Sequence, residues 1–571
     1  SSGALTATIS DFSGANVTVG RDIANSSVLV DGNVISGATT GNAASNSIKV
    51  TGSSALAASD TTVGATAAPN AGTGPAAYAT ADHALANIQA VSGSETTTVT
   101  GTYNIATLGA GAPGSDDATS DVTGSTLSVS DNAQSATTTG NSAANSVALS
   151  GASVSTNGAL LSKQSASTTV TFGAASTMTV AAPAANSSST LSLDDNSNVA
   201  SSTVNAASNS MTVAADTSLV STTVSGSNYG ANASLSGSSG NYTSAADYVV
   251  NNAQSANSNV TVSSAATTNL WNNDGGATGQ SQFVSNGINQ STVDLSGNAT
   301  SSTALSNRST NTLTLTANSD SASAGVINQQ ISSATVTANA TTKADVVVAG
   351  YDGATASDPS PLDTSSVALN SNATTARAGG NNATNALSAS ATSFANTSTG
   401  GAATLTSSRA DSVSASFAVL NEQVNNGGVT AAANVTYGAS FNNLGTAPSV
   451  TNSAVTVNGN SAVSVAYGNA ATNSLTLTAL NSPATGTTPT TTAIASNQSN
   501  TGAINASSGV TSGALAINAV ASGTGNTGGV TNASLSINGN ALASAAYGNS
   551  ATNTLTIGGN NVNVTVAHAG P

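Results

Sequence analysis

Apolar residues recur at every second position along much of this chain, and they do so in a repeated context. From Val455 to Leu480 the sequence reads VTVNGNSAVSVAYGNAATNSLTLTAL, and from Leu535 to Ile557 it reads LSINGNALASAAYGNSATNTLTI. In both, Val, Leu or Ile alternates with Thr, Ser or Asn, the period of a half-buried strand. Val, Ile and Thr fit a pleated surface. The breaks fall at DGN, NGN and YGN, where Asn and Gly accept left-handed backbone angles and make tight turns. No stretch carries a long helical period with caps; AAYATADHALANIQA, Ala76–Ala90, comes nearest.

The pattern is one template used seven times. An apolar pair sits five and three positions before an anchoring Asn, further Asn residues follow at plus nine and plus thirteen, and a second apolar pair comes at plus fifteen and plus seventeen. The anchors are Asn33, Asn132, Asn196, Asn298, Asn372, Asn460 and Asn540. The plus-nine residues are Asn42, Asn141, Asn205, Asn307, Asn381, Asn469 and Asn549, and the plus-thirteen residues are Asn46, Asn145, Asn209, Asn311, Asn385, Asn473 and Asn553. Between copies lies a weaker element: Asn or Ser, any residue, Gln, then an apolar residue six beyond the Gln. It occurs at Gln164/Val170, Gln254/Val260, Gln330/Val336, Gln423/Val429 and Gln498/Ile504, with a degenerate copy at Gln89, where Glu95 takes the apolar place. Anchors are 99, 64, 102, 74, 88 and 80 residues apart, which implies loops of variable length within a fixed scheme.

These features predict an all-β chain, and two architectures fit. One is a repetitive, β-helix-like β-solenoid with variable loops; the other is a row of tandem β-sandwich modules. The 20 residues from the first apolar pair to the second approximate one solenoid coil. Small residues suit a narrow core of coils about 4.8 Å apart, and Asn at recurrent turns is suited to amide ladders. Aromatics are 3% of the chain, fewer than a sandwich core normally uses. The solenoid is therefore the first expectation, with the anchors and plus-thirteen Asn residues as turn or ladder positions. The chain divides on this reading into an N-terminal strand segment, 1–20, the seven-copy array, 21–560, and a C-terminal strand or tail, 561–571. Each copy buries its apolar edge against its neighbours.

Composition changes this picture mainly by exclusion. Charged residues make up 5%, against a usual figure of about 25%. Disorder combines low hydrophobicity with high net charge, whereas this chain is 38% hydrophobic and patterned. With no cysteine it has no disulfide and no thiolate metal site. No run approaches the roughly 18 apolar residues of a membrane span. An opening at Ser1 rather than Met agrees with removal of an export signal. The seven basic residues are scattered, so no basic patch for nucleic acid forms.

Chemistry is sparse. The two histidines, His83 and His568, lie in polar surroundings without partners for catalysis. Asp116/Asp117 and Asp194/Asp195 are adjacent pairs, and adjacent residues of a strand point to opposite faces. No Gly-rich phosphate loop opens a helix, and no G-x-S-x-G elbow has a base to serve it. Calcium is the one arguable ligand: DGN at 31–33, NNDGGATG at 272–279 and YDGATASD at 351–358 place oxygens in Gly turns, with Asp352 and Asp358 as candidates for a structural ion. Turn chemistry explains the same residues without a metal, and no other cofactor is expected.

The GNSATNTLTI and GNAATNSLTL repeats resemble those of bacterial β-strand-repeat surface proteins, a loose group that includes S-layer, adhesin and appendage subunits. The resemblance implies export to the cell surface and a structural or adhesive role, and it transfers no functional residue. From the residues themselves the expectation is a non-enzymatic subunit of an extracellular polymer: a filament, tube, sheath or surface layer. Strand patterns at both ends, ALTATISDF from Ala4 and NVNVTVAHAGP to Pro571, are suited to pairing with further copies. The alternative is an adhesin or phage-fibre-like shaft that binds a surface polysaccharide or ice, suggested by the Thr-rich TTTVTGT and LTLTA stretches.

Overall fold

The computed structural model describes residues 3–19, 23–57, 65–67, 77–107, 122–167, 171–183, 187–220, 230–235, 241–271, 288–349, 360–394, 403–406, 412–443, 447–479, 490–521, 529–559 and 564–566. All regular structure among them is β. The chain passes through the same sheets in the same order, circuit after circuit, and each strand pairs parallel with its counterparts in the adjacent circuits. The result is a solenoid-like stack of parallel sheets.

Four sheets carry seven strands each along this path. The long sheet holds Val34–Thr51, Ala133–Ser155, Ser197–Leu219, Ala299–Asp320, Ala373–Phe394, Ser461–Ala479 and Ala541–Gly559. The inner sheet follows: His83–Val91, Gly158–Ala166, Tyr248–Ala256, Ala324–Ser332, Phe417–Asn425, Thr490–Asn500 and Val564–Val566. The return sheet runs from Leu5–Val19 through Glu95–Thr107, Thr171–Pro183, Asn259–Trp271, Val336–Ala349 and Val429–Asn443 to Ile504–Ala521. The short sheet, Ser27–Asp31 to Ser534–Asn538, closes each circuit.

One circuit is therefore a whole repeat of 64 to 102 residues. The expected 20-residue coil is replaced by a larger one, because the two apolar pairs of a copy lie on the short strand and on the far half of the long strand of a single circuit. Parallel pairing between copies also means that they do not fold as separate modules. Leu5–Val19, within the expected N-terminal strand segment, is the first strand of the return sheet, paired with Glu95–Thr107. Val564–Val566 pairs with Thr490–Thr492. The helix-like stretch at 76–90 forms two strands, Tyr78–Ala81 and His83–Val91, since its apolar residues are needed on a sheet face. In the second circuit the column of Val260, Val336, Val429 and Ile504 is filled by Phe172. Val170, expected there, lies outside the described residues.

Each long strand changes face at one corner. In the second circuit the alternation of buried and exposed residues shifts phase at Gly140–Asn141, both buried, and the ladder skips Gly140. Residues before the corner pack on the return and short sheets in one apolar core, with Ala136, Leu127 and Phe172. Those after it pack on the inner sheet in another, with Val147, Leu149 and Leu160. The plus-nine and plus-thirteen Asn residues form the belt between the two.

The inner sheet has a second cover. Hairpin strands Ala65–Ala67 and Tyr78–Ala81, Gly230–Ser234 and Asn241–Ala245, and Ala403–Thr406 and Ser412–Ala415 join into one six-stranded antiparallel sheet. It buries the outer face of the inner sheet, including Leu161, Val249, Ile327 and Leu420. The hairpins leave the first, third and fifth circuits between the long and inner strands, whereas the second and fourth cross in Thr156–Asn157 and Ser321–Ser323. Two hairpin strands occupy the same height as two stacked circuits, about 9.6 Å at about 4.8 Å each. Alternate circuits are the ones with room for an insertion, and this accounts for much of the uneven anchor spacing.

Candidate functional site

The sequence-predicted asparagines meet in three continuous stacks parallel to the stacking axis. In the anchor stack each Nδ2 donates to the Oδ1 of the next circuit at 2.9–3.1 Å, from Asn33 through Asn132, Asn196, Asn298, Asn372 and Asn460 to Asn540. The same Oδ1 atoms accept the anchors' backbone N–H groups at 2.9–3.2 Å. The second N–H donates back to a carbonyl of the preceding short strand at 2.7–3.0 Å, as from Asn298 to Leu193. An interior anchor such as Asn298 thus uses both donors and both acceptor positions of its amide.

The plus-nine stack, Asn42 to Asn549, runs the same way at 2.7–2.8 Å. Its second N–H donates to a carbonyl near the end of the inner strand, as from Asn307 to Ile331 at 2.9 Å. The plus-thirteen stack, Asn46 to Asn553, follows at 2.8–3.0 Å. Most of these amides are buried, so each bond replaces water that cannot reach them.

Of the three asparagine series, only the anchors follow a left-handed residue. The residue before each anchor has positive φ: Gly32, Asp131, Asp195, Gly297, Ser371, Gly459 and Gly539. The plus-nine and plus-thirteen asparagines lie within the long strand, where a four-residue step keeps both side chains on one face, so the plus-thirteen residues are ladder rather than turn positions. The glycine of YGN has a different reason from that of NGN. A Cβ on Gly468 would stand 2.3 Å from the Asn500 Oδ1 and 2.6 Å from the Gly548 carbonyl oxygen, so close approach at the corner requires it.

Two further stacks escaped the sequence reading as sites. Gln89, Gln164, Gln254, Gln330, Gln423 and Gln498 form a fourth amide stack at 2.6–2.8 Å, and each Nε2 donates to the Oε1 of the preceding circuit. This polarity opposes that of the asparagines. Their second N–H groups tie the inner sheet to long-strand carbonyls at 2.8–3.0 Å. Seven positions before each anchor stands Ser26, Ser125, Ser189, Ser291, Ser365 or Ser453, with Ala533 in the last circuit. Each of these hydroxyls, beginning with Ser125, accepts the backbone N–H of the preceding serine at 3.0–3.2 Å. Their fixed offset was the available signal. The residue before them is the second left-handed corner, from Asn25 to Asn532.

Titratable groups are dispersed. Burial pushes the Glu95 and Asp320 carboxyls up to about 7. Burial lowers His83, opposed by Asp82. Asp194 and Asp195 sit at a corner rather than on a strand, beside Asp131; desolvation and then the Asp194, Asp131 and Asp294 charges raise Asp195. Among the described residues one ion pair forms, Lys343–Asp345 at 2.9 Å, and no group of three or more His, Asp or Glu is placed to hold a metal. Asp116, Asp117, Asp352, Asp358 and His568 lie outside the described residues. No helix of the described chain is long and apolar enough to cross a membrane. No protein-family model, curated protein or solved structure matches the chain.

Proposed function

We propose that the chain is a β-solenoid serving as a non-catalytic structural subunit of an extracellular polymer. The observation that carries this reading is the set of side-chain stacks that run through every circuit and reach both open faces of the stack. Such an interior repeats one chemistry along its length and concentrates none of it in a cleft. Long buried amide chains resist solvent and denaturants because each member is satisfied by its neighbours. A low charge content and scattered basic residues leave few sites for trypsin-like proteases, as suits a protein outside the cell. Electron microscopy of the purified protein tests the proposal. Filaments, tubes or lattices with a meridional reflection near 4.8 Å are expected, and discrete monomers at all concentrations overturn it.

A binding shaft is the second reading, favoured by the outer face of the long sheet. In the four outward columns that begin at Ala144, circuits two to seven present Ser, Thr, Ala or Gly, including Thr310, Thr312, Thr314 and Thr316 in the fourth circuit and Thr472, Ser474, Thr476 and Thr478 in the sixth. This uncharged hydroxyl array is regular in two directions, as an ordered lattice of water or sugar requires. Thermal hysteresis and sedimentation with insoluble polysaccharide measure it directly.

A further inference from the structure

The four amide stacks end differently at the two faces. The asparagine stacks all donate toward later circuits, and the glutamine stack donates toward earlier ones. In the anchor, plus-nine and glutamine stacks a second N–H to a backbone carbonyl fixes which way each amide points. The face formed by the last circuit therefore presents the Nδ2 donors of Asn540, Asn549 and Asn553. The face formed by the first presents the Oδ1 acceptors of Asn33 and Asn46. Donor meets acceptor at Asn540 with Asn33 and at Asn553 with Asn46 when the last face is laid on the first.

The apolar surface agrees. Among the described residues, Val530, Leu535, Ile537 and Leu542 of the last circuit are exposed large hydrophobic side chains in columns whose interior members are buried. The register puts Leu535 and Ile537 in the columns of Val28 and Val30, and Leu542 in that of Ile35, so a next circuit would bury them as the interior circuits bury Val455 and Val457. Residues 529–559 carry no charged side chain, and 23–57 carry only Asp31 and Lys49, so little repulsion opposes contact.

We propose, on the basis of the polymer reading above, that copies of this chain stack head to tail. Ala541–Gly559 of one copy pairs parallel with Val34–Thr51 of the next, the long-sheet ladder and the asparagine stacks run across the joint, and the polymer is polar. A head-to-head joint would set Asn33 and Asn46 oxygens against the same oxygens and reverse the strands. A heterologous contact of this kind does not close on itself and yields an open filament.

The chain has no cysteine, so a disulfide can report the joint. Ala38 and Ala545 share one outward column of the long sheet. The double variant Ala38→Cys/Ala545→Cys is expected to form disulfide-linked multimers on mild oxidation. An equimolar mixture of the two single variants should give linked dimers, and neither single variant alone should. Linkage by Ala38→Cys alone would indicate head-to-head contact and overturn the proposal. Polymer seen by microscopy without linkage in the double variant would retain the polymer reading and reject this joint. Monomers without linkage would reject both. As a second measure, Asn540→Asp/Asn549→Asp/Asn553→Asp should raise the critical concentration for assembly about tenfold or more, since each substitution replaces a donor with a charged acceptor facing an oxygen. Circular dichroism should show the monomer still folded. Unchanged assembly in that variant would count against the amide register.

Discussion

Asn298 illustrates what a single residue contributes. Its amide bonds to Asn196 on one side and Asn372 on the other, and also to the Leu193 carbonyl. Removing its side chain leaves the Asn196 backbone N–H and Nδ2 without their acceptor, at roughly 1–3 kcal/mol each. Asn298→Ala is thus expected to destabilise the fold by about 2–5 kcal/mol, while Asn553→Ala, at the end of its stack, should cost under about 1 kcal/mol. Urea unfolding of the two variants distinguishes a continuous stack from independent turn residues. The buried carboxyls give a pH dependence. Glu95 and Asp320 rise from ordinary values of 4.5 and 3.8 to about 7 on folding, so the folded chain holds their protons more tightly. Their contribution to stability is full below about pH 4 and is lost as pH rises through 7. The midpoint of thermal unfolding should fall between pH 4.5 and 8, and Glu95→Gln should flatten that fall. At this scale the Asn positions were legible because one spacing recurs seven times. The Ser and Gln stacks were less so: Ser is too common in this chain for one offset to stand out, and Gln recurs in a shorter, looser motif.

At the scale of elements, alternation gave the strands but not their partners. A period of two reports that one face is buried and is silent on whether the neighbour runs parallel or antiparallel. The size of a circuit was hidden for a related reason: the long strand looks like two strands joined by a turn, since its alternation changes phase at Gly140–Asn141. That corner supplies a prediction. Gly468→Val should cost on the order of 1–3 kcal/mol, because the new Cβ meets Asn500 and the Gly548 backbone. The third circuit carries Val204 at the equivalent place, so Val204→Gly should cost less in contacts than the reverse change does in overlap. The hairpins were visible only as uneven spacing. Replacing residues 221–245 by a short linker should uncover Leu161 and Val249, lower the unfolding temperature and increase binding of a hydrophobic dye.

At the scale of the whole molecule, stability should be graded along the axis. Interior circuits bury Leu475 and Leu477 fully, whereas Leu535, Ile537 and Leu542 of the last circuit are 37–47% exposed. Amide hydrogen exchange of the dispersed chain is therefore expected to be slowest in circuits three to five and fastest in the last. Addition of a further copy should slow it there. The alternating hairpins also constrain how such a molecule can change in length. Each hairpin roofs two storeys, so a gene gaining or losing a single storey would leave the roof one strand short or one strand over. Viable size variants should differ by pairs of storeys, one with an insertion and one without, and a designer extending the shaft should splice in that double unit.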